Sequence, residues 1–126
     1  MNDGDRSLAS IQDLTEQIRE FAAQRDWEQF HSPRNLLLAL QGEVGELSEI
    51  FQWVGDSGIT PEWLIENRDR IASEVADVLI YLLRFADVLE LDALQCAQDK
   101  LELNIARYPV DKARGNSHKY TEFDNG

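Results

Sequence analysis

A chain of 126 residues with 43% hydrophobic and 29% charged residues, seven glycines and three prolines has a globular composition and is long enough for one domain with a real core. Its formal charge of -12 argues against a binder of duplex nucleic acid, which needs a basic face to displace counterions, but leaves room for a nucleotide carried with a divalent metal. The single cysteine, Cys96, allows neither an intrachain disulfide nor a cysteine-rich zinc site, and a reducing, cytoplasmic setting is expected.

The first twenty residues are polar and mixed in charge, without the apolar core of a signal peptide. Helical periodicity then dominates, with no strand-like alternation. The expected fold is all-α: an antiparallel bundle of four to five helices in a single domain over residues 1–126. A first helix is expected from about Leu8 to Arg25, capped by Asp5 or Ser7, with Leu8, Ile11, Leu14, Ile18, Phe21 and Ala22 on one stripe. Ser32 followed by Pro33 starts a second helix that reaches about Val54 and stops at Gly55. Thr60 and Pro61 begin a third segment, expected to break near Asn67 before a long helix through Leu89. The apolar run 75–89 contains Asp77, Arg84 and Asp87, which makes it a poor membrane span. Asp92 is placed to cap a last helix ending by Tyr108-Pro109, and residues 110–126 read as an extended or flexible arm.

Along the second helix, at about 100° per residue, Leu36, Leu40, Val44, Leu47, Ile50, Phe51 and Val54 share one arc, and Glu43 lies inside it. Glu46 sits at the edge and Glu49 steps farther toward solvent. On the long helix Val75, Val78, Leu82, Phe85 and Leu89 define a face, with Glu74 at its margin, Asp77 farther round and Tyr81 on the same flank. Ile80 and Leu83 occupy the other side, so this helix is expected to be buried against a helix or a subunit.

Glu43-x-x-Glu46 and Glu74-x-x-Asp77 therefore border apolar faces and would converge if the two helices pack together. Four carboxylates leaving water cost several kcal/mol each and raise one another's pKa, and a cation removes both penalties. A single E-x-x-E is usually a solvated face; two such pairs without a basic partner at helical spacing favour a metal site. Oxygen-only ligands point to Mg²⁺, with Mn²⁺ as a substitute, while the Glu-x-x-His pairs of a di-iron bundle are missing.

Between residues 100 and 119 the charge reverses, with Lys100, Arg107, Lys112, Arg114 and Lys119 against two acids, and Lys100, Asn104 and Arg107 share one side of the last helix. That group suits phosphates, although Arg107 is equally well read as a helix-terminal charge. Trp27, Trp53 and Tyr81 offer flat surfaces for a base, whereas Trp63 reads as core. His31 is read either as a turn residue or as a further substrate contact. Gly42 and Gly45 are costly inside a helix and suggest close approach of a helix or ligand.

With these residues placed, the chain resembles the MazG-like all-α nucleoside triphosphate pyrophosphatases, most closely the dCTP pyrophosphatase branch. The likeness covers about Phe21 to Glu122 and rests on Glu43, Glu46, Glu74 and Asp77 in order. It also rests on the segments 25–40, 42–47, 51–53, 77–82, 107–109 and 119–122. The resemblance implies Mg²⁺-dependent cleavage of a nucleoside triphosphate between the α and β phosphates. It implies metal ligation by Glu43, Glu46, Glu74 and Asp77, a base pocket of Trp27, Trp53 and Tyr81, and nucleotide contacts from Lys100 and Asn104. The C-terminal basic arm with Lys112 and Lys119 is expected to reach a site shared between subunits of a homodimer or homotetramer. Ile18 stands where relatives carry a base-proximal histidine. Either Glu46 or Glu49 is expected to act as general base. The expected reaction is hydrolysis of dCTP or a modified dCTP; a broader or dUTP-like pyrophosphatase and a non-catalytic helical partner protein are the alternatives.

Overall fold

The computed structural model describes residues 10–123, and every regular element among them is helical. Helix α1 spans Ile11–Gln24, and Ser10 caps it by accepting the Asp13 N–H at 3.1 Å. Leu8 and the expected caps Asp5 and Ser7 lie outside the described residues. Asp26 ends α1 in the left-handed region (φ 55°): its N–H donates to the Ala23 carbonyl and that of Trp27 to the Ala22 carbonyl. This is a Schellman turn formed without glycine, and it swings Trp27 back toward the end of α1.

A 3-10 turn, Glu28–Phe30, leads to α2, Pro33–Phe51, whose Ser32 cap is as expected. The helix stops three residues earlier than the sequence suggests. The Val54 N–H bonds back to Phe51 O, closing a turn instead of extending the helix, and Trp53 projects from that turn 87% exposed. Helix α3, Pro61–Val88, is capped by Thr60 and runs unbroken through the expected break. Asn67 turns its side-chain amide onto the Trp63 carbonyl at 2.9 Å and stays in register. A second Schellman turn ends α3 at Glu90 (φ 58°). Helix α4 is Ala93–Arg107, directly after Asp92 and before Tyr108-Pro109, and α5 is the short Val110–Ala113.

The chain forms two compact units, Met1–Asp92 and Ala93–Gly126. In the first, α2 and α3 pack along each other and α1 packs on α3. Phe51 near the end of α2 meets Trp63 near the start of α3, ring centroids 5.1 Å apart, while His31 just before α2 bonds Arg84 near the end of α3. The two helices are therefore antiparallel. Packing of these three helices buries Leu36 and Ile50 of α2, Leu83, Arg84 and Ala86 of α3 and Ala22 of α1.

The buried side of α3 is not the one its hydrophobicity suggests. Val75 (49% exposed), Leu79 and Leu82 (44%) form an open apolar ladder, while the buried positions are Leu83, Ala86 and a charged residue, Arg84. Hydrophobic periodicity marks what avoids water; it does not say which neighbour removes it.

In the second unit, the segment expected to be an extended arm holds α5 and a 3-10 turn, Tyr120–Phe123. Phe123 is buried, packed edge-on to Tyr108, which also meets Tyr120. Three aromatics thus supply the small core that composition did not promise.

Candidate active site

Glu43 lies seven residues after Leu36 and seven before Ile50, both buried in the seam, so helical geometry aims it at α3. Glu74 comes off the facing helix. Carboxylate oxygens of Glu43, Glu46 and Glu74 lie within 4.8 Å of one another, Glu46 exposed and the other two half-buried. One oxygen of Glu43 and one of Glu74 are buried without a hydrogen-bond partner. Burial, then the negative charges of Glu46 and Asp77, pushes the Glu43 carboxyl above the usual carboxylate range. Burial and the charge of Glu46 do the same for Glu74. Three crowded carboxylates with two orphaned oxygens form an electrostatically incomplete cluster.

That incompleteness is the test of fit for a metal, and the residues pass it. Hard oxygen donors from facing helices, crowded and unpaired, are what a divalent cation satisfies. Asp77, the fourth expected ligand, lies outside the 4.8 Å group but close enough to act on both Glu43 and Glu74. Glu49 is exposed and outside the group.

The expected base-pocket residues are divided along α2. Trp27 and Trp53 flank opposite ends of a 19-residue helix, about 28 Å long at 1.5 Å per residue. Trp27 stands edge-on to Phe21 (5.6 Å) and to His31 (6.4 Å). Tyr81 is half-buried on α3, one turn beyond Asp77 and one turn before Arg84.

His31 joins a polar network that sequence reasoning missed. Arg84 Nε donates to His31 Nδ1 at 3.0 Å and an Arg84 terminal nitrogen to Asp87 Oδ2 at 3.3 Å. Asp87 also receives a two-pronged bond from Arg19, at 2.8 and 2.6 Å. The Arg19 bond, ahead of the other neighbouring charges, holds Asp87 below the usual carboxylate range. Burial and the Arg84 charge, opposed by Glu28, lower the pKa of His31. Its one local signal was an arginine inside the apolar run 82–86; its partners lie 53 residues before Arg84 and 68 before Asp87.

In the second unit, Lys112 Nζ donates to the Phe123 carbonyl at 3.0 Å, and the Arg107 guanidinium lies over the Tyr120 ring at 4.5 Å. Both fasten the C-terminal turn. Lys100 and Lys119 are exposed, and Asn104 is half-buried with its carbonyl accepting the Tyr108 N–H. For Gly42 and Gly45, an added Cβ would meet nothing within 4 Å, so close packing inside the chain does not require either.

The model of the MazG-like family matches residues 38–123. The mouse protein dCTP pyrophosphatase 1 is 48% identical over 118 residues, which cover 93% of this chain and 69% of the mouse protein. The bovine protein of the same name is 47% identical over 121 residues, covering 95% and 72%. Among solved structures, a pyrophosphatase from Archaeoglobus fulgidus superposes with a TM-score of 0.73 at 39% identity, covering 79% of this chain and 92% of that one.

Proposed function

The chain belongs to the MazG-like family, and from that premise we propose that it is a nucleoside triphosphate pyrophosphatase that hydrolyses dCTP, or a modified dCTP, to the monophosphate and pyrophosphate. The observation that carries the reading is the incomplete carboxylate cluster of Glu43, Glu46 and Glu74 in the α2–α3 seam. Relatives 47–48% identical over most of the chain are dCTP pyrophosphatases. No described helix is long and apolar enough to cross a membrane.

Glu43, Glu46 and Glu74, with Asp77, would hold Mg²⁺, which when bound supplies charge neutralisation at the phosphates and acidifies a coordinated water. Glu43 and Glu74 enter that site from opposite helices, so the antiparallel seam itself fixes the spacing of the ligands. Glu46, the exposed member of the group, is the carboxylate best disposed to accept a proton from the attacking water. Water oxygen bonds the α-phosphorus, the bond to the α–β bridging oxygen breaks, and pyrophosphate leaves. Glu49 is the secondary choice for the proton acceptor because it stands apart from the cluster.

Trp27 and His31, edge-on to each other, and Tyr81 on α3 are the proposed contacts to the base. Trp53 projects from the far end of α2, so its part in a base pocket requires a second copy of the chain. The open ladder Val75, Leu79 and Leu82 on α3 supports such an assembly, a homodimer or a pair of dimers, because an apolar stripe of this length in water calls for a partner. Lys100, Asn104, Arg107, Lys112 and Lys119 remain proposed contacts to the triphosphate, with Arg107 and Lys112 also serving the C-terminal turn.

Product analysis over a panel of nucleoside triphosphates in Mg²⁺ tests the reading. Release of dCMP and pyrophosphate from dCTP in preference to the rest is expected. Preferential release from dUTP, or equal turnover of the panel, would replace the substrate assignment, and no turnover of any triphosphate would leave a non-catalytic helical protein. Light scattering in solution tests the assembly, and a monomer at micromolar concentration would overturn it.

A further inference from the structure

His31 is half-buried just ahead of the Ser32 cap, edge-on to Trp27, with its N–H donated to the Glu28 carbonyl at 3.1 Å. The side chain facing it is Arg84, only 6% exposed. A guanidinium has hydrogen-bond donors and no acceptor, and it keeps its proton at any working pH. A 3.0 Å contact from Arg84 Nε to His31 Nδ1 therefore requires a bare lone pair on Nδ1. The ring proton must sit on Nε2. Arg84 cannot swing away easily, because Asp87 holds its other arm and is itself clamped by Arg19 from α1.

We propose that Arg84 is a positioning residue for the base pocket, fixing His31 as the neutral tautomer whose Nε2–H donates to an acceptor atom on the pyrimidine ring next to Trp27. This rests on the reading of His31 and Trp27 as base contacts. A histidine left free would exchange between two neutral tautomers and, at mildly acidic pH, a cation. Here the cation is opposed by burial and by the Arg84 charge, with Glu28 the one nearby group that favours it. The outcome is a histidine with one acceptor committed to the protein and one donor offered outward. The base it selects must present a lone pair, such as a ring carbonyl oxygen or an unprotonated ring nitrogen, at the Trp27 edge.

Two readouts test this. The first needs no substrate: two-bond ¹H–¹⁵N correlation spectra of the whole protein should show His31 with a bare Nδ1 and a protonated Nε2, and Arg84→Met should abolish that fixed pattern. A proton on Nδ1 at neutral pH in the wild-type chain overturns the proposal. The second is kinetic. Arg84→Met should raise the KM for dCTP by about tenfold, the worth of one hydrogen bond, while kcat changes by less than about twofold. His31→Phe should do the same, and adding Arg84→Met to His31→Phe should change KM little further. Additive losses would mean that Arg84 affects KM independently of His31, and the proposal would fail. Where Arg84→Met does not fold, an unchanged KM in His31→Phe overturns it equally. A chain that turned over no triphosphate yet kept the tautomer pattern would sink the proposed activity and not the Arg84–His31 pairing.

Discussion

Two places along the α2–α3 seam handle charge in opposite ways. At the His31 end, Arg19, Asp87, Arg84 and His31 alternate donor with acceptor, and both carboxylate oxygens of Asp87 are bonded. Midway along, Glu43, Glu46 and Glu74 set like against like and leave two buried oxygens unpartnered. Both sets draw on α3, the first reaching to α1 and to the residue before α2, the second to α2. The first holds the fold together; the second strains it, and a chain keeps such a strain where a ligand relieves it.

The sharpest way to break this contrast is to neutralise the strained set. Glu43→Gln should lower pyrophosphate release from dCTP at least about a thousandfold, because it removes a charge where the phosphates need a cation held. It should also raise the thermal midpoint of the metal-free protein, since an uncompensated charge has been removed. Loss of activity together with a lower midpoint would mean that the cluster is structural.

The reverse operation strikes the satisfied set. Asp87→Ala strips Arg84 of its counter-charge inside the seam and should cost about 3 kcal/mol by urea unfolding, the usual penalty for leaving one partner of a buried pair alone. Arg19→Ala should cost much less, since Arg19 is half-exposed and Arg84 keeps Asp87 company. Equal costs would show that Asp87 serves to tie α1 to α3 and has little to do with Arg84.

Proton linkage should separate the two sets by sign. Asp87 titrates below its ordinary range, so its contribution is present above that range and lost as pH falls through its folded value. Glu43 and Glu74 titrate above theirs, so they favour folding most when protonated, and stability is lost as pH rises through their folded values. In chelator, unfolding free energy should therefore climb from strong acid and then sag above the ordinary carboxylate range. Mg²⁺ should lift the sag and leave the acid limb alone. A sag unaffected by Mg²⁺ would detach these carboxylates from any metal role.

This contrast was half legible in the sequence. Glu43 stood out because periodicity asked for an apolar residue there, and the two acidic pairs could be seen to converge from helical spacing alone. Arg84 gave no comparable sign of its partners: an arginine in an apolar run has no sequence-local way to announce a histidine 53 positions earlier. The apolar ladder on α3 was legible as apolar, but not as open, since water avoidance does not name its partner. Asn67 misled because asparagine competes with helix in general; here its amide found the Trp63 carbonyl and stayed within the helix. The C-terminal turn escaped because three aromatics, spread from 108 to 123, make a core with no periodicity.

The smallest expected effect sharpens the contrast most cleanly. Gly45 lies in α2 between Val44 and Glu46, and a methyl group there would meet nothing within 4 Å. Gly45→Ala should therefore stabilise the chain by about 1 kcal/mol, through helix propensity alone. If the cluster needs only its carboxylates, kcat and KM for dCTP should stay within about twofold of the parent. If the open space beside Gly45 is where a phosphate group or a second copy of the chain approaches, the same methyl would raise stability and still raise KM or weaken assembly. Stability and turnover moving in opposite directions from one methyl would mean that the glycine, like the orphaned carboxylates beside it, is kept at the expense of the fold for what the site must receive.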